Sequence, residues 1–309
     1  MLKELALLLL RQSQFFRRPL GLSKFEDWNI GIVYESIKNF LRPNFKPRVH
    51  WLPKRRSEKI CADPFGVSYN NKVYIFFEDS DYLNSKSVIS YIELHGATPT
   101  NEPRTALELP ILISYPCIFQ HQRETFCVPE TAKARAISLY KCESFPDRWK
   151  KVRTLVDNTA GIDSTLFQYE DRWWLICTLE GKDWLSNLYI WHAPDLLGPW
   201  QPHKKNPVKS DIRSARPAGA PFMADGCLYR PAQDCSKTYG GRIIINRITQ
   251  LTPGQFSEEP ASVVEPFRDS PYPDGIHTIS AVNDITIIDG KRFKLKITTA
   301  LRSIIQKLR

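Results

Sequence analysis

The feature that most constrains the fold is a short unit that recurs along the chain. Each copy starts with an apolar strand, continues through a polar tip and returns in a strand rich in aromatic and β-branched residues, which is the pattern of a β-hairpin. In the fifth copy we place the hairpin turn at Asp289-Gly290. The earlier copies have their tips at Asn70-Asn71, Gln122-Arg123, Glu170-Asp171-Arg172 and Asp225-Gly226. The five copies span 62–78, 114–130, 161–180, 214–230 and 276–294.

The spacing of these units predicts the architecture. Repeats of short strands about 45 to 60 residues apart are typical of a β-propeller with four strands per blade. We therefore predict an all-β fold, a single five-bladed β-propeller over residues 24–299. Residues 28–34 form a further β-run, which we expect to complete the blade containing His277 and so to close the ring.

The two ends of the chain differ from its centre in charge. Residues 1–60 carry 13 basic and 5 acidic residues, and residues 291–309 carry 7 basic residues and no acid, whereas 61–290 carry 23 basic and 28 acidic residues. Basic ends suit an anionic surface, either phospholipid or nucleic acid, whereas an acidic centre argues against nucleic acid lying across the propeller. We expect peripheral contact with an anionic membrane and no nucleic-acid partner.

The terminal segments read as short helices that flank the propeller. Apolar residues share one face in 1–23, an amphipathic segment, and in 300–309, a basic helix. The N-terminal leucine block is too short to span a bilayer, and no cleavage pattern follows it. The seven cysteines are scattered without metal-ligand spacing, so we predict neither a metal nor another cofactor. Free cysteines in apolar strands favour a reducing compartment, so we expect a cytoplasmic protein, which the basic ends would place at the periphery of the inner membrane.

Chemistry is expected at the central funnel, because the first strand of every blade lines it. The residues at the start of the five units are Asp63, Tyr115, Asp163, Arg216 and His277. Glu130 and Asp234 end second strands and are expected to reach the same face. Carboxylates, arginine and histidine in a concave site suit a hydroxyl-rich ligand. The sequence therefore predicts a sugar or glycan ligand.

Several motifs carry a family resemblance over roughly residues 25 to 295. They are DWNIGI (27–32), WLP (51–53), ADPFG (62–66), YIFFED (74–79), SYP (114–116), PE (129–130), DSTLF (163–167), GPW (198–200), SARPAG (214–219), YRPAQDCS (229–236) and YGG (239–241). In these motifs the chain resembles the N-terminal domain of plant glucosamine inositolphosphorylceramide transferase and its bacterial relatives. More distantly, it resembles the five-bladed propeller glycoside hydrolases of the arabinanase, xylosidase and fructosidase type. In the plant protein a separate glycosyltransferase domain follows, so we do not expect that activity from this sequence.

The resemblance to the hydrolases implies roles for individual residues. It assigns Asp63 as the base and Asp163 as the acid that holds the sugar. The general acid of those enzymes comes from the fourth blade, where this chain has Ser214-Ala215-Arg216-Pro217 and no carboxylate. Hydrolysis by the usual route needs two carboxyl groups. We therefore predict Glu130 or Asp234 as proton donor and favour glycosyl transfer or phosphorolysis over hydrolysis.

An arginine in place of the acid suggests an anionic group on the ligand, as in a phosphorylated or nucleotide-linked sugar. The substrate-binding residues predicted on this basis, or from their place in the funnel, are Arg213, Arg216, Arg230, His277, Gln233 and Tyr115. Each also has a structural interpretation. Asp63 and Asp163 are turn residues in that interpretation, Arg216 pairs with Asp163 or Glu130, His277 is a buried channel residue, and Gln233 and Asp234 hold the YGG loop.

The function predicted from the sequence is recognition or processing of a sugar during assembly of a surface polysaccharide or glycolipid. Polysaccharide-assembly enzymes are the expected protein partners. Two alternatives stay open. One is a non-catalytic glycan-binding or scaffold module for a partner glycosyltransferase or formyltransferase. The other is a protein-interaction propeller whose rim is bound by a partner protein.

Overall fold

A computed structural model of the chain describes residues 22–53, 59–81, 85–95, 98–99 and 102–297. The expected terminal helices, in 1–23 and 300–309, lie outside the described residues apart from Leu22 and Ser23, which belong to a strand. None of the helices in the described ranges is long and apolar enough to cross a membrane.

The strands are numbered in chain order. The N-terminal part contains β1 (Leu22–Val33), a 3₁₀ helix (Ile37–Leu41) and β2 (His50–Trp51). Next come β3 (Lys59–Tyr69), β4 (Lys72–Asp81), β5 (Lys86–His95), β6 (Thr98–Pro99) and β7 (Arg104–Leu107). They are followed by β8 (Ser114–His121), β9 (Glu124–Glu130), a 3₁₀ helix (Ala132–Ala134), β10 (Ile137–Ser144) and β11 (Arg148–Val156). Then follow β12 (Gly161–Tyr169), β13 (Arg172–Leu179), β14 (Asn187–Ala193), β15 (Gln201–Pro202) and β16 (Lys209–Ser210). The last strands are β17 (Phe222–Ala224), β18 (Cys227–Asp234), β19 (Arg242–Thr252), β20 (Gln255–Val264), β21 (Ile279–Val282) and β22 (Ile285–Ile297).

These strands form five antiparallel sheets, which are the blades of a five-bladed β-propeller. Blade 1 is built from β3 to β7, blade 2 from β8 to β11, blade 3 from β12 to β16 and blade 4 from β17 to β20. Blade 5 has the order β2-β1-β22-β21, so that the N-terminal strand β1 pairs along its whole length with the C-terminal strand β22. This confirms the expected closure of the ring by residues 28–34.

Hydrophobic clusters lie between successive blades and hold the ring together. Ile30 of blade 5 packs with Ile75 of blade 1, and Ile243 of blade 4 packs with Ile288 of blade 5. All four side chains are fully buried. The core is thus divided among the interfaces between blades, as expected of a fold in which each sheet is covered by its neighbours.

The hairpin turns follow the predicted tips in four blades and differ in the fifth. Asn70 and Asn71 both have positive φ, 49° and 60°, as a two-residue turn of type I′ requires. In blade 5 the turn is at Asn283-Asp284, and the turn predicted at Asp289-Gly290 is wrong, because both residues lie inside β22. Gly290 is needed there for close packing, since a Cβ atom on it would lie 2.3 Å from the Trp51 ring.

The inner strands of the first three blades share a β-bulge at the same place. The pairing register shifts between Ala62 and Phe65, between Ser114 and Cys117, and between Ile162 and Thr165. In each bulge one residue adopts a left-handed backbone: Asp63 (φ 54°), Tyr115 (φ 41°) and Asp163 (φ 52°). Non-glycine residues in this region cluster at ligand and active sites. The bulges therefore point to the funnel as the place where the fold carries local strain.

Candidate functional site

A cavity lies at the centre of the ring, where the inner strands converge. Every blade contributes to its wall. The lining residues are Glu26, Trp28, Ile60, Ala62, Asp63, Glu78, Ser80, Ser114, Glu130, Asp163, Arg216, Tyr239 and His277. Five of the residues predicted from the sequence are therefore brought together here: Asp63, Glu130, Asp163, Arg216 and His277.

Asp163 and Arg216 form a bidentate ion pair across blades 3 and 4. Arg216 Nε donates to Asp163 Oδ2 at 2.5 Å and Nη2 donates to Oδ1 at 3.1 Å. Gln233 Nε2 donates to Asp163 Oδ2 as well, at 2.8 Å. Gln233 thus acts by holding Asp163 from behind the cavity wall. The guanidinium consequently has a fixed orientation, as bidentate geometry imposes.

Arg216 is also enclosed by two aromatic rings. Its Cζ atom lies 4.6 Å from the centroid of Trp184 and 5.1 Å from that of Tyr239. The side chain is only 4% exposed, and Nη1 has no hydrogen-bond partner among the residues that the structure describes. A buried donor without a partner is costly. Arg216 is one of the residues that line the cavity, so the wall contains an unpaired, buried donor.

His277 lies between two carboxylates at the junction of blades 5 and 1. Its Nε2 atom is 3.3 Å from Asp63 Oδ1, and its Nδ1 atom is 2.6 Å from Asp289 Oδ2, although not aligned for a hydrogen bond. The ring packs on Trp28 with a centroid distance of 4.0 Å. Burial acts to lower the pKa of His277, but the carboxylates of Asp289 and Asp63 outweigh it and raise that pKa to about 9. The ring is therefore a buried imidazolium at neutral pH.

The left-handed residues of two bulges are held by carboxylates of the preceding blade. Glu130 Oε2 accepts the backbone N–H of Asp163 at 3.1 Å, and Asp289 Oδ2 accepts that of Asp63, also at 3.1 Å. Glu130 is partly exposed in the cavity. Burial, reinforced by the nearby Asp163, raises the pKa of Glu130 well above its ordinary value. A carboxyl group whose pKa is raised is suited to act as a general acid.

Three predicted site residues lie elsewhere. Arg230 is fully buried and paired with Glu258, with Nε–Oε2 at 2.8 Å. Arg213 is mostly exposed and pairs with Asp211 in a surface turn. Asp234 accepts hydrogen bonds from Ser236 and Arg242, which outweigh burial and lower its pKa, so it is unsuited to donate a proton. The prediction of a funnel site was wrong for these residues.

The other predicted residue, Tyr115, is a structural link between blades. It is fully buried, its Oη atom accepts the backbone N–H of Gly219 at 2.7 Å, and it lies 2.9 Å from Thr165 Oγ1. These contacts join blade 2 to blades 3 and 4. The predicted role of Tyr115 in ligand binding is therefore wrong, because Tyr115 is not among the lining residues and its hydroxyl is occupied by contacts within the protein.

Comparison with known proteins places the chain in a family. Residues 53–270 match the family model "Glucosamine inositolphosphorylceramide transferase 1, N-terminal". The chain belongs to this family. A glucosamine inositolphosphorylceramide transferase 1 of Oryza sativa subsp. japonica is 34% identical over 208 residues, which is 65% of this chain and 28% of that protein. The protein of the same name from Arabidopsis thaliana is 34% identical over 203 residues, 64% of this chain and 26% of the relative. The matched region thus spans little more than a quarter of these relatives.

Comparison with solved structures shows that this chain shares its fold with propeller glycoside hydrolases. A family 117 glycoside hydrolase of Zobellia galactanivorans superposes with a TM-score of 0.55 at 14% identity, covering 89% of this chain and 92% of the other. A thermostable family 43 glycoside hydrolase gives a TM-score of 0.54 at 12% identity and covers 84% and 94% of the two chains. At such low identity the likeness concerns the fold alone.

Sequence reasoning missed several residues of the cavity in this family member. Trp28 and Tyr239 lie in the DWNIGI and YGG motifs, but their place in the wall depends on ring closure. The loop of Tyr239 is held by Lys291, a fully buried residue that donates to the Tyr239 carbonyl and pairs with Glu26 at 3.1 Å. Glu78 ends the return strand of the first unit just as Glu130 ends that of the second. Aligning the two units would have identified Glu78.

Among the described residues, three side chains near the cavity have the spacing of metal ligands. Asp63, His277 and Asp289 each present a ligand atom, and these atoms lie within 4.8 Å of one another. In this arrangement the imidazolium of His277 already supplies the positive charge between the two carboxylates. The three residues are therefore interpreted as an ion-paired triad.

Proposed function

We propose that the central cavity binds a sugar unit that is neutral or carries an amino group. The observation that carries the proposal is the composition of the wall, which combines carboxyl groups with aromatic rings around one oriented guanidinium. Carboxylates accept hydrogen bonds from hydroxyl and ammonium groups, and aromatic side chains such as Trp28 and Tyr239 offer apolar faces to the C–H groups of a sugar ring. The names of the Oryza and Arabidopsis relatives, which refer to glucosamine, support the same class of ligand.

The cations of the wall are already paired, which argues against a strongly anionic ligand. Five lining residues carry carboxyl groups, namely Glu26, Asp63, Glu78, Glu130 and Asp163. The two cationic lining residues are both engaged by acids, Arg216 by Asp163 and His277 by Asp63 and Asp289. The phosphorylated or nucleotide-linked ligand expected from the sequence relied on four cations, of which Arg213 and Arg230 lie elsewhere. We therefore place neutral and amino sugars ahead of sugar phosphates.

Calorimetric titration of the purified chain tests this proposal. The panel comprises glucosamine, N-acetylglucosamine, glucose, glucose 1-phosphate and UDP-N-acetylglucosamine. We expect binding of at least one of the first three, and no gain in affinity from a phosphate. A result in which no sugar binds, or in which only phosphate-bearing compounds bind, contradicts the proposal and favours the scaffold module.

Two arginines three positions apart provide a matched pair of variants. Arg216→Gln removes the unpartnered Nη1 donor from the cavity, and we expect it to weaken sugar binding about 10-fold or more. Arg213→Gln makes the same change at an exposed side chain and should leave affinity unchanged. Because Arg216→Gln also deprives Asp163 of its partner, thermal unfolding of each variant is measured in parallel. Trp184→Ala, which leaves the ion pair intact but removes a ring that packs on the Arg216 guanidinium, gives a second test of the role of that guanidinium.

Processing of the sugar is a second candidate, favoured by the raised pKa of Glu130 in a cavity that also contains Asp63. We propose glycosyl transfer or phosphorolysis, since blade 4 contributes Arg216 to the lining and no carboxylate. Incubation with disaccharides in phosphate buffer and with UDP-sugars, followed by mass spectrometry, tests for turnover. Turnover that is unchanged in Asp63→Asn and Asp163→Asn would exclude both residues from the chemistry.

A further inference from the structure

The stretch that connects β1 to β2 in blade 5, residues 34–49, is strongly basic. Its charged residues are one acid, Glu35, and four bases, Lys38, Arg42, Lys46 and Arg48. All four basic side chains are exposed, and none forms an ion pair with another described residue. An exposed base of blade 1 differs in this respect, since Lys86 pairs with Glu108 at 2.7 Å. The stretch therefore exposes four positive charges that no carboxylate neutralises.

Apolar side chains between these bases anchor the stretch to the ring. Ile37 and Phe40 of the 3₁₀ helix are buried in the cluster between blades 4 and 5. In 45–49 every second residue is half-buried, and the residues between them, Lys46 and Arg48, are exposed. A period of two is that of an extended segment, in which alternate side chains share one face. The positive charges are thus attached to a backbone that the core holds in place.

This basic stretch lies at the end of blade 5 that is away from the cavity lining. It follows Val33, the last residue of β1, which pairs with Thr286 just after the hairpin turn of that blade. Thr286 Oγ1 also donates to the carbonyl oxygen of Glu35 at 2.7 Å. The cavity-lining Glu26 precedes Val33 by seven residues in the same strand, which is a distance of about 23 Å. A partner that contacts the basic stretch therefore leaves the cavity uncovered.

The chemistry of this surface fits anionic phospholipid headgroups. A cluster of four bases is of the size that binds anionic membranes. Half-buried Leu41 and Phe45 and exposed Pro43 lie among the bases, and basic surfaces that contact membranes place such apolar groups at the level of the headgroups. A nucleic-acid duplex is read by an element that enters a groove. The 3₁₀ helix here is only five residues long and has its apolar side chains buried in the ring, so the lipid is favoured.

We propose that Lys38, Arg42, Lys46 and Arg48 form a surface that docks the propeller on an anionic phospholipid membrane. The ammonium and guanidinium groups contact lipid phosphates, while the cavity at the other end of blade 5 stays accessible. The proposal does not depend on the sugar-binding function, because the surface shares no residue with the cavity lining.

Co-sedimentation of the purified chain with vesicles tests this proposal. One set of vesicles contains phosphatidylcholine alone, and the other also contains phosphatidylglycerol. We expect binding to the second set only, and weaker binding as the salt concentration rises, because salt screens exposed charges. A wild type that does not bind the anionic vesicles overturns the proposal. Binding to a DNA duplex in place of those vesicles overturns it as well and makes the surface a nucleic-acid site.

Two variants that lose the same charge locate the contact. Replacing the four bases of the surface by glutamine should lower the affinity for anionic vesicles at least about 10-fold. The matched control replaces four exposed bases of the outer strand β11 by glutamine, namely Arg148, Lys150, Lys151 and Arg153. The control should bind nearly as the wild type does. An equal loss in both variants overturns the proposal, because net charge alone would then explain the binding.

Two further measurements complete the test. Thermal unfolding should be unchanged in both variants, since every substituted side chain is exposed. If the fourfold variant does not fold, the double variants Lys38→Gln/Arg42→Gln and Lys46→Gln/Arg48→Gln replace it, and each should weaken vesicle binding. A variant with Arg302→Gln, Lys307→Gln and Arg309→Gln covers the basic C-terminal segment. Loss of vesicle binding in that variant alone would assign the contact to that segment and overturn the proposal.

Discussion

Two junctions between blades share one arrangement of side chains but contain different cations. At the junction of blades 2 and 3, Glu130 holds the backbone N–H of Asp163, and Asp163 pairs with Arg216. At the junction of blades 5 and 1, Asp289 holds the backbone N–H of Asp63, and Asp63 pairs with His277. The same arrangement therefore occurs twice: an aspartate with a left-handed backbone, a carboxyl group that accepts its backbone N–H, and a buried cation that pairs with its side chain.

The difference between the cations determines how each junction responds to its surroundings. Arginine stays charged in proteins, so the pair of Asp163 and Arg216 is permanent. Histidine changes charge near neutral pH, so the triad around His277 is titratable. The junction with Arg216 is thus suited to orienting a ligand at any pH. At the junction with His277, the stability of the local structure depends on the protonation of that histidine.

The largest effect is expected from breaking the permanent pair. Asp163→Ala leaves the buried Arg216 without its partner, and removal of one member of a buried ion pair costs about 3–5 kcal/mol. Urea unfolding followed by circular dichroism measures the loss. Asp195→Ala, at an exposed position of the same blade, is the control and should change stability by less than about 0.5 kcal/mol. A loss of stability in Asp163→Ala no greater than that of the control would show that Arg216 is not held by Asp163.

A smaller effect, which depends on pH, is expected at the other junction. The pKa of His277 in the folded chain is about 9, above the ordinary value of 6.5. Its charge therefore stabilises the fold fully below pH 6.5, and this contribution is lost as the pH rises towards 9. His277→Gln should lower stability by about 2–3 kcal/mol at pH 6 and by much less at pH 9.5.

Urea unfolding of the wild type and His277→Gln across this pH range checks the prediction. His50→Gln, at a half-buried histidine of β2, serves as the control. A difference between the wild type and His277→Gln that does not shrink with rising pH would mean that His277 acts by packing on Trp28 alone.

Much of the fold could be predicted from the sequence because short local patterns of residues specify it. Turn residues such as Asn70 and Asn71 and alternating apolar strands specify each hairpin, and their period specifies the ring. The fifth turn was misplaced because Asp289-Gly290 has the composition of a turn. In the folded chain Gly290 lies under Trp51 and Asp289 supports two backbone segments, and both contacts are with distant parts of the sequence.

The site could be predicted only in part, because its residues act across blades. Asp63 and Asp163 in the inner strands, and Arg216 and His277 just before inner strands, were placed at the funnel because their positions followed from the predicted repeat. Arg230 and Gln233 were both assigned to the ligand, although residues three apart in a strand point to opposite faces. Gln233 faces Asp163, and Arg230 faces Glu258. Strand alternation alone would have separated the two.

The smallest effect is expected from a substitution of Glu130 that preserves the hydrogen bond from the backbone N–H of Asp163. Burial, reinforced by the nearby Asp163, raises the pKa of Glu130 well above its ordinary value and so favours its neutral form. Glu130→Gln introduces a neutral group of the same shape, whose amide oxygen still accepts the N–H of Asp163, and should cost less than about 1 kcal/mol. Glu130→Ala leaves that N–H unpaired and should cost about 1–3 kcal/mol. At the second junction, Asp289→Asn should cost more than Glu130→Gln, because Asp289 is the charged partner of His277. Equal losses in Glu130→Gln and Glu130→Ala, measured by urea unfolding, would show that Glu130 works as a charge and that the two junctions are more alike than their cations indicate.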